Sequence, residues 1–307
     1  MGNSLFHPTL YTPATTPIAK QLAIVNNEGV EGARRVVLCT EDSIREDDVN
    51  LAVDTLRSVL QQMKRDTAVT SYVRVRNPEV MRRLLEMPGV EKLQGFVVPK
   101  ADPDHFREYA EQIVGSDFTV MPILESSRMF DANYRTSLFN GLRDYAEMIE
   151  CLRIGVNDLM GYLGIRRSTD GFTVYDTPVG VLVNQIINEF RGVGGFTITA
   201  PVFECYDEKY DALLVKEVQQ HILNGLYGQT VIHPRHLGII RDLYAVDERD
   251  LESARGILGY SSAVVGLNGR MDEYTTHWRW ATTILERFEL FGVAPDKESV
   301  AKLTAIA

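Results

Sequence analysis

TVMPILESSRMFDANYRTSLFNGLRDYAEMIECLRIG, residues 119–155, reads as one complete strand–helix–strand unit. Thr119 to Leu124 is an apolar run of strand length, and Leu152 to Gly155 is a second. Between them, Tyr134 to Glu150 carries apolar residues at helical spacing. Short apolar runs alternating with longer amphipathic segments are the pattern of parallel strands joined by crossover helices. Both runs end in acid, the first at Glu125 and the second at Asp158 just beyond Asn157.

The same rhythm extends in both directions. Upstream, strands are predicted near Thr9–Thr12, Val36–Thr40, Ser71–Val75 and Gly95–Val98; downstream, near Gly195–Thr199 and Thr230–Ile232. Helical segments fall at Asp47–Met63, Asp104–Val114, Pro178–Arg191 and Glu208–Leu226. Asn77-Pro78, Asp102-Pro103 and Thr177-Pro178 place proline where a helix begins. Eight strands is the number a closed (β/α)8 barrel requires. After the eighth the rhythm stops, leaving two helical segments, Glu248–Leu258 and Tyr274–Phe291, joined by a glycine-containing link from Gly259 to Asp272. The predicted fold is therefore a (β/α)8 TIM barrel over residues 1–246 with a C-terminal helical extension over residues 247–307.

Bulk composition narrows the function classes. A net charge of −10 with no basic block argues against a nucleic-acid surface. No apolar run approaches the roughly 18 residues of a membrane span, and the N-terminus lacks a signal-peptide layout. A cytoplasmic protein with no membrane or nucleic-acid partner is expected. Cys39, Cys151 and Cys205 are widely spaced and odd in number, so neither a disulfide framework nor a cysteine zinc site is expected.

Barrel enzymes carry their reactive groups at the C-terminal ends of the strands. Here the second strand ends in Glu41-Asp42, the fifth in Glu125 and the sixth in Asp158. Carboxylates converging on one mouth repel one another unless a cation is present, and oxygen donors favour Mg²⁺, or Mn²⁺, over zinc. The third strand, YVRVRNP, puts Arg74 and Arg76 on one side by alternation. A guanidinium near a metal suits a ligand bearing a carboxylate. The fourth strand ends in Pro99-Lys100, adding a cation at the mouth. His233 and His236 lack a third nitrogen or sulfur ligand at recognisable spacing, which favours structural hydrogen bonding.

Taken together, LYTPA (10–14), CTEDSI (39–44), YVRVRN (72–77), FVVPK (96–100), ILES (123–126), RIGVNDLMGYLG (153–164), YGQTVIHPRHL (227–237) and GLNGRMDE (266–273) resemble, in order, the motifs of the HpcH/HpaI aldolase and citrate lyase beta-subunit family. That family includes citramalyl-CoA and malyl-CoA lyases. The pattern is most similar to its divergent branch of lyase-like proteins from tellurite-resistance and stress gene clusters. The resemblance implies a Mg²⁺-dependent carbon–carbon lyase acting on a hydroxy- or keto-acid, with a CoA thioester as a candidate substrate. It implies that Glu125 and Asp158 ligate the metal, that Glu41 and Asp42 hold metal-bound water, and that Arg74 binds the oxoacid carboxylate beside Pro99 and Lys100. It also implies a homo-oligomer, a trimer, in which the extension covers a neighbour's barrel mouth and Asp272 serves as acid or base. Ala14, Pro78, Ala200 and Tyr175-Asp176-Thr177 depart from the family pattern on the thioester side of the site. Two alternatives therefore stand beside the leading one: a CoA-independent aldolase for a pyruvate-derived or sugar-like substrate, and a catalytically reduced metal- and ligand-binding subunit of a larger assembly.

Overall fold

In the computed structural model, which describes residues 5–259, 264–267 and 269–294, the eight apolar runs are eight parallel strands. They are β1 (Thr9–Pro13), β2 (Arg35–Cys39), β3 (Thr70–Arg74), β4 (Gly95–Val98), β5 (Thr119–Leu124), β6 (Leu152–Ile154), β7 (Ile198–Thr199) and β8 (Thr230–Val231). Each pairs with its sequence neighbour from β1 to β7, and β8 returns to pair with β1. Ala200 N to Tyr227 O and Thr230 N to Ala200 O close the remaining seam. The result is the barrel that the sequence predicts.

Alternation divides the core. Val37, Tyr72, Val97, Met121, Ile123 and Cys151 point inward and form the barrel filling. Outward residues such as Val36, Leu38, Val73 and Phe96 pack against the surrounding helices. At the end where the strands begin, Arg35 is ion-paired to Glu150, whose carboxylate also accepts from Tyr72 Oη and Thr119 Oγ1. This polar plug fills the barrel floor.

The helices are α1 (Ile18–Val25), α2 (Val49–Gln62), α3 (Pro78–Leu85), α4 (Phe106–Ala110), α5 (Ala132–Arg143), α6 (Val156–Tyr162), α7 (Pro178–Ile186), α8 (Asp211–Leu223), α9 (His236–Tyr244), α10 (Glu248–Gly259) and α11 (Tyr274–Phe291). Asn77 caps α3 by accepting from Val80 N at 2.9 Å, as the Asn-Pro pair predicts. Asp102-Pro103 does not open a helix directly. Asp102 Oδ1 accepts from Asp104 N in a turn, and α4 starts only at Phe106.

Within the described residues, the link between the last two helices contains a short antiparallel hairpin, β9 (Val264–Leu267) with β10 (Arg270–Glu273), where only irregular chain was expected. Ala281 and Ile284 of α11 pack against Leu251, Ala254 and Ile257 of α10, joined by Trp280, Leu285 and Phe288. Phe291 lies beside His7 and Tyr244 at the barrel's N-terminal end. Most of the large apolar surface of α11 is thus covered within its own chain. Trp278, Tyr274 and Met271 remain exposed. Residues 295–307 of the predicted extension lie outside the described residues. No helix among those described is long and apolar enough to cross a membrane.

Candidate active site

A cavity of about 890 Å³ opens at the C-terminal ends of the strands. Tyr11, Asp42, Arg74, Glu125, Arg153 and Asp158 are among its walls. The strand-end rule therefore gathers Asp42, Arg74, Glu125 and Asp158 from four different strand–helix units into one space.

Glu125 follows directly on β5 and is only 2% exposed. One oxygen accepts from the Lys100 backbone N–H at 2.9 Å. That peptide is turned toward it because Lys100 adopts a left-handed conformation with φ of 48°. The other side of the carboxylate faces Gly155, where a Cβ would stand 2.2 Å from Glu125 Oε2. Only glycine at that position leaves room for the carboxylate. Burial, and then the charge of Asp158, raise the Glu125 pKa to about 7. Asp158, in the first turn of α6, is also raised, by burial and then by Asp42. Two carboxylates that are both raised in pKa favour occupancy by a proton or a cation.

The opposite wall is electrostatically settled. Arg74 Nη2 lies 3.0 Å from Glu41 and 3.5 Å from Asp42, and its Nε donates to Cys39 Sγ at 3.2 Å. Lys100 Nζ lies 2.6 Å from Glu41 and 3.3 Å from Asp42. Burial and the hydrogen bond with Asp42 push Glu41 up. Burial acts on Asp42 in the same direction, but the hydrogen bond with Glu41 and the charges of Arg74 and Lys100 hold it below its usual value. Lys100 is raised despite its burial, because Glu41 and Asp42 stabilise the ammonium. Glu41 and Asp42 are thus salt-bridged to two cations.

Other sequence candidates lie elsewhere. Arg76 falls beyond the end of β3, where it pairs with Glu46 and donates to the Glu41 and Ile44 carbonyls, so it shares no wall with Arg74. Pro99 is buried and, like Lys100 on the rim, is not among the cavity walls. Asp272, on β10, is buried and away from the cavity of its own chain. His233 stacks on Tyr206 with centroids 5.1 Å apart, and His236 is buried at the start of α9. Among the described residues no three His, Cys, Asp or Glu side chains cluster as a ready-made metal cage.

Two features of the site escaped the sequence. Tyr11 sits between two guanidinium groups, with Arg74 Cζ 5.7 Å and Arg153 Cζ 5.3 Å from its ring centroid. Arg153, on β6, lines the cavity one inward position below Glu125, since its strand partner is Ile123. The same alternation that selects Arg74 on β3 would have found it.

Glu125 and Asp158 fit a small hard cation. Mg²⁺ commonly takes one or two protein carboxylates and completes its octahedron with water and ligand oxygens, so a full protein cage is not required. The pair, raised in pKa and open to the cavity, is a donor set of that kind.

Residues 6–293 match the family model described as the C–C bond lyase of the TIM-barrel fold. No curated protein matches the chain. Among solved structures, CitE from Mycobacterium tuberculosis in complex with magnesium, acetoacetate and coenzyme A has a TM-score of 0.67 at 20% identity, covering 92% of this chain and 98% of that one. RipC from Yersinia pestis gives 0.58 at 18% identity, covering 80% and 98%. The M. tuberculosis citrate lyase beta subunit complexed with oxaloacetate and magnesium gives 0.56 at 19% identity, covering 80% and 99%. At these identities the likeness to the solved structures is one of fold.

Proposed function

The chain belongs to the C–C bond lyase family of the TIM-barrel fold, and on that premise we propose that it makes or breaks a carbon–carbon bond in a hydroxy- or keto-acid, with Mg²⁺ held by Glu125 and Asp158. The observation that carries this reading is the pair of carboxylates, both raised in pKa, facing one cavity with Arg74. A divalent cation there would supply Lewis-acid polarisation of a ligand oxygen and offset the negative charge that develops as the bond breaks.

The protein's own residues do the positioning. Glu41 and Asp42 hold Arg74 and Lys100 before any ligand arrives, so little side-chain ordering is left for binding. Arg74 then offers its remaining N–H donors to the ligand carboxylate. Gly155 keeps Glu125 directed at the cavity. The cavity is larger than a small oxoacid needs, and an acyl-CoA thioester is the second ligand class we assign to it. The CitE neighbour was solved with magnesium, acetoacetate and coenzyme A. We further propose that the working form is a homo-oligomer, a trimer, in which the hairpin and α11 meet a neighbouring copy and Asp272 acts as acid or base. The exposed Met271, Tyr274 and Trp278 support that contact.

Calorimetry tests the metal assignment. Mg²⁺ should bind the wild type and lose at least tenfold in affinity in the Glu125→Gln, Asp158→Asn double variant. Equal affinity would remove the proposal. A thermal-shift screen with Mg²⁺ and either free oxoacids or acyl-CoA thioesters then identifies the ligand class.

A further inference from the structure

Three cations stand at the mouth, and two already have partners. Arg74 and Lys100 share Glu41 and Asp42, and those four charges cancel. The third is Arg153, 2% exposed and part of the cavity wall. Its Nη2 donates to Thr230 Oγ1 at 2.5 Å, and its Nη1 lies 3.7 Å from Met121 Sδ. Its guanidinium also faces the Tyr11 ring. No carboxylate among the described residues pairs with it. A hydroxyl, a thioether and a ring face do not neutralise a buried guanidinium, and an unpaired buried charge is costly.

The remaining charges of the cavity are Glu125 and Asp158. The mouth therefore lacks a dication at one place and a single negative charge at another. A Mg²⁺ ion together with a carboxylate ligand supplies both and leaves the whole set neutral. A phosphate, which carries nearly two charges at neutral pH, would overshoot. Arg153 is also the most buried of the three cations and lies one inward position below Glu125. We propose that Arg153 is a binding residue for the ligand's carboxylate, gripping it from the cavity wall. This rests on the oxoacid reading given above. Arg74, whose charge is already met, adds hydrogen bonds at the same end of the ligand.

The test uses the full chain saturated with Mg²⁺ and compares pyruvate with methyl pyruvate, which keeps the shape and removes the charge. Wild type should prefer pyruvate. In Arg153→Gln, pyruvate affinity should fall at least tenfold while methyl pyruvate and Mg²⁺ affinities stay within twofold, a charge-specific loss that a merely structural role would not give. Arg153→Lys keeps the charge without the fork and should lose about three- to tenfold. Arg153→Met, which keeps the side-chain length and removes the charge, gives the same reading should Arg153→Gln fail to fold. An undiminished preference for pyruvate in Arg153→Gln, or in Arg153→Met in that event, overturns this inference alone. A wild-type protein that binds Mg²⁺ but neither pyruvate nor oxaloacetate overturns the oxoacid reading, and this inference with it.

Discussion

Glu125 links the site to stability in a way that can be measured without knowing the substrate. Its carboxyl titrates near 7 in the folded protein against an ordinary value of 4.5, because it is buried beside Asp158. The folded state therefore holds a proton that the unfolded state has released across that interval. By linkage, this contribution to stability is fully present below about pH 4.5 and is lost as pH rises through 7. Each pKa unit corresponds to about 1.4 kcal/mol, so the loss is roughly 3 kcal/mol. For a chain of 307 residues this is a shift of about 5 °C in Tm. Glu125→Gln removes the titration but keeps an oxygen to accept from Lys100 N–H. In EDTA, the Tm of wild type relative to Glu125→Gln should fall by about 5 °C between pH 5 and pH 8. Mg²⁺ at a hundredfold its Kd should return about 2.7 kcal/mol at pH 8 and much less at pH 5, where protons compete. A wild-type-minus-variant difference that stays flat with pH would refute the account of Glu125 as a buried, uncompensated acid.

The remaining expectations follow from individual contacts. Gly155→Ala places a methyl 2.2 Å from Glu125 Oε2, so the carboxylate must turn away, and Mg²⁺ affinity by calorimetry should drop about tenfold or more; unchanged affinity would show that Glu125 is not held there. Arg74→Lys keeps charge but loses the fork shared between Glu41 and the ligand, so oxoacid affinity should weaken about tenfold with Mg²⁺ binding retained. A joint Met271→Glu, Trp278→Glu change puts charge on the exposed face of the extension without touching its packing on α10. Light scattering should then report smaller particles with intact Mg²⁺ binding, and a wild type that is monomeric at micromolar concentration would end the trimer proposal.

The barrel was legible because its strands are short, doubly buried and separated by helices of regular period. Each of the eight lies within a few residues of the apolar run that predicts it. The hairpin Val264–Leu267 with Arg270–Glu273 was passed over although Asn268-Gly269 between the two runs is the residue pair a two-residue hairpin turn prefers, because the glycines around it read as a loop. In α11 the same apolar residues satisfy two destinations. Trp280, Ile284, Leu285 and Phe288 could face a neighbour or α10, and only the path of the chain shows that α10 takes them.

The site divides along the same line. Position at a strand end is a local property, and it brought Asp42, Arg74, Glu125 and Asp158 together. Charge pairing is not local. Glu41, Asp42, Glu125 and Asp158 are alike in sequence, all acids at strand ends, and the family resemblance gives the metal to the second pair and its bound water to the first. In the fold, Arg74 from β3 and Lys100 from beyond β4 reach the first pair and neutralise it, while neither forms an ion pair with the second. Arg153 is the converse case: a cation inside LRIG, flanked by apolar residues, whose lack of a carboxylate partner among the described residues depends on seven other strands. What a strand-end acid or an inward arginine can bind is decided by which opposite charges the barrel closure has already spent, so the free pair and the free guanidinium, not the full roster of ionisable groups, mark where a ligand must bring charge.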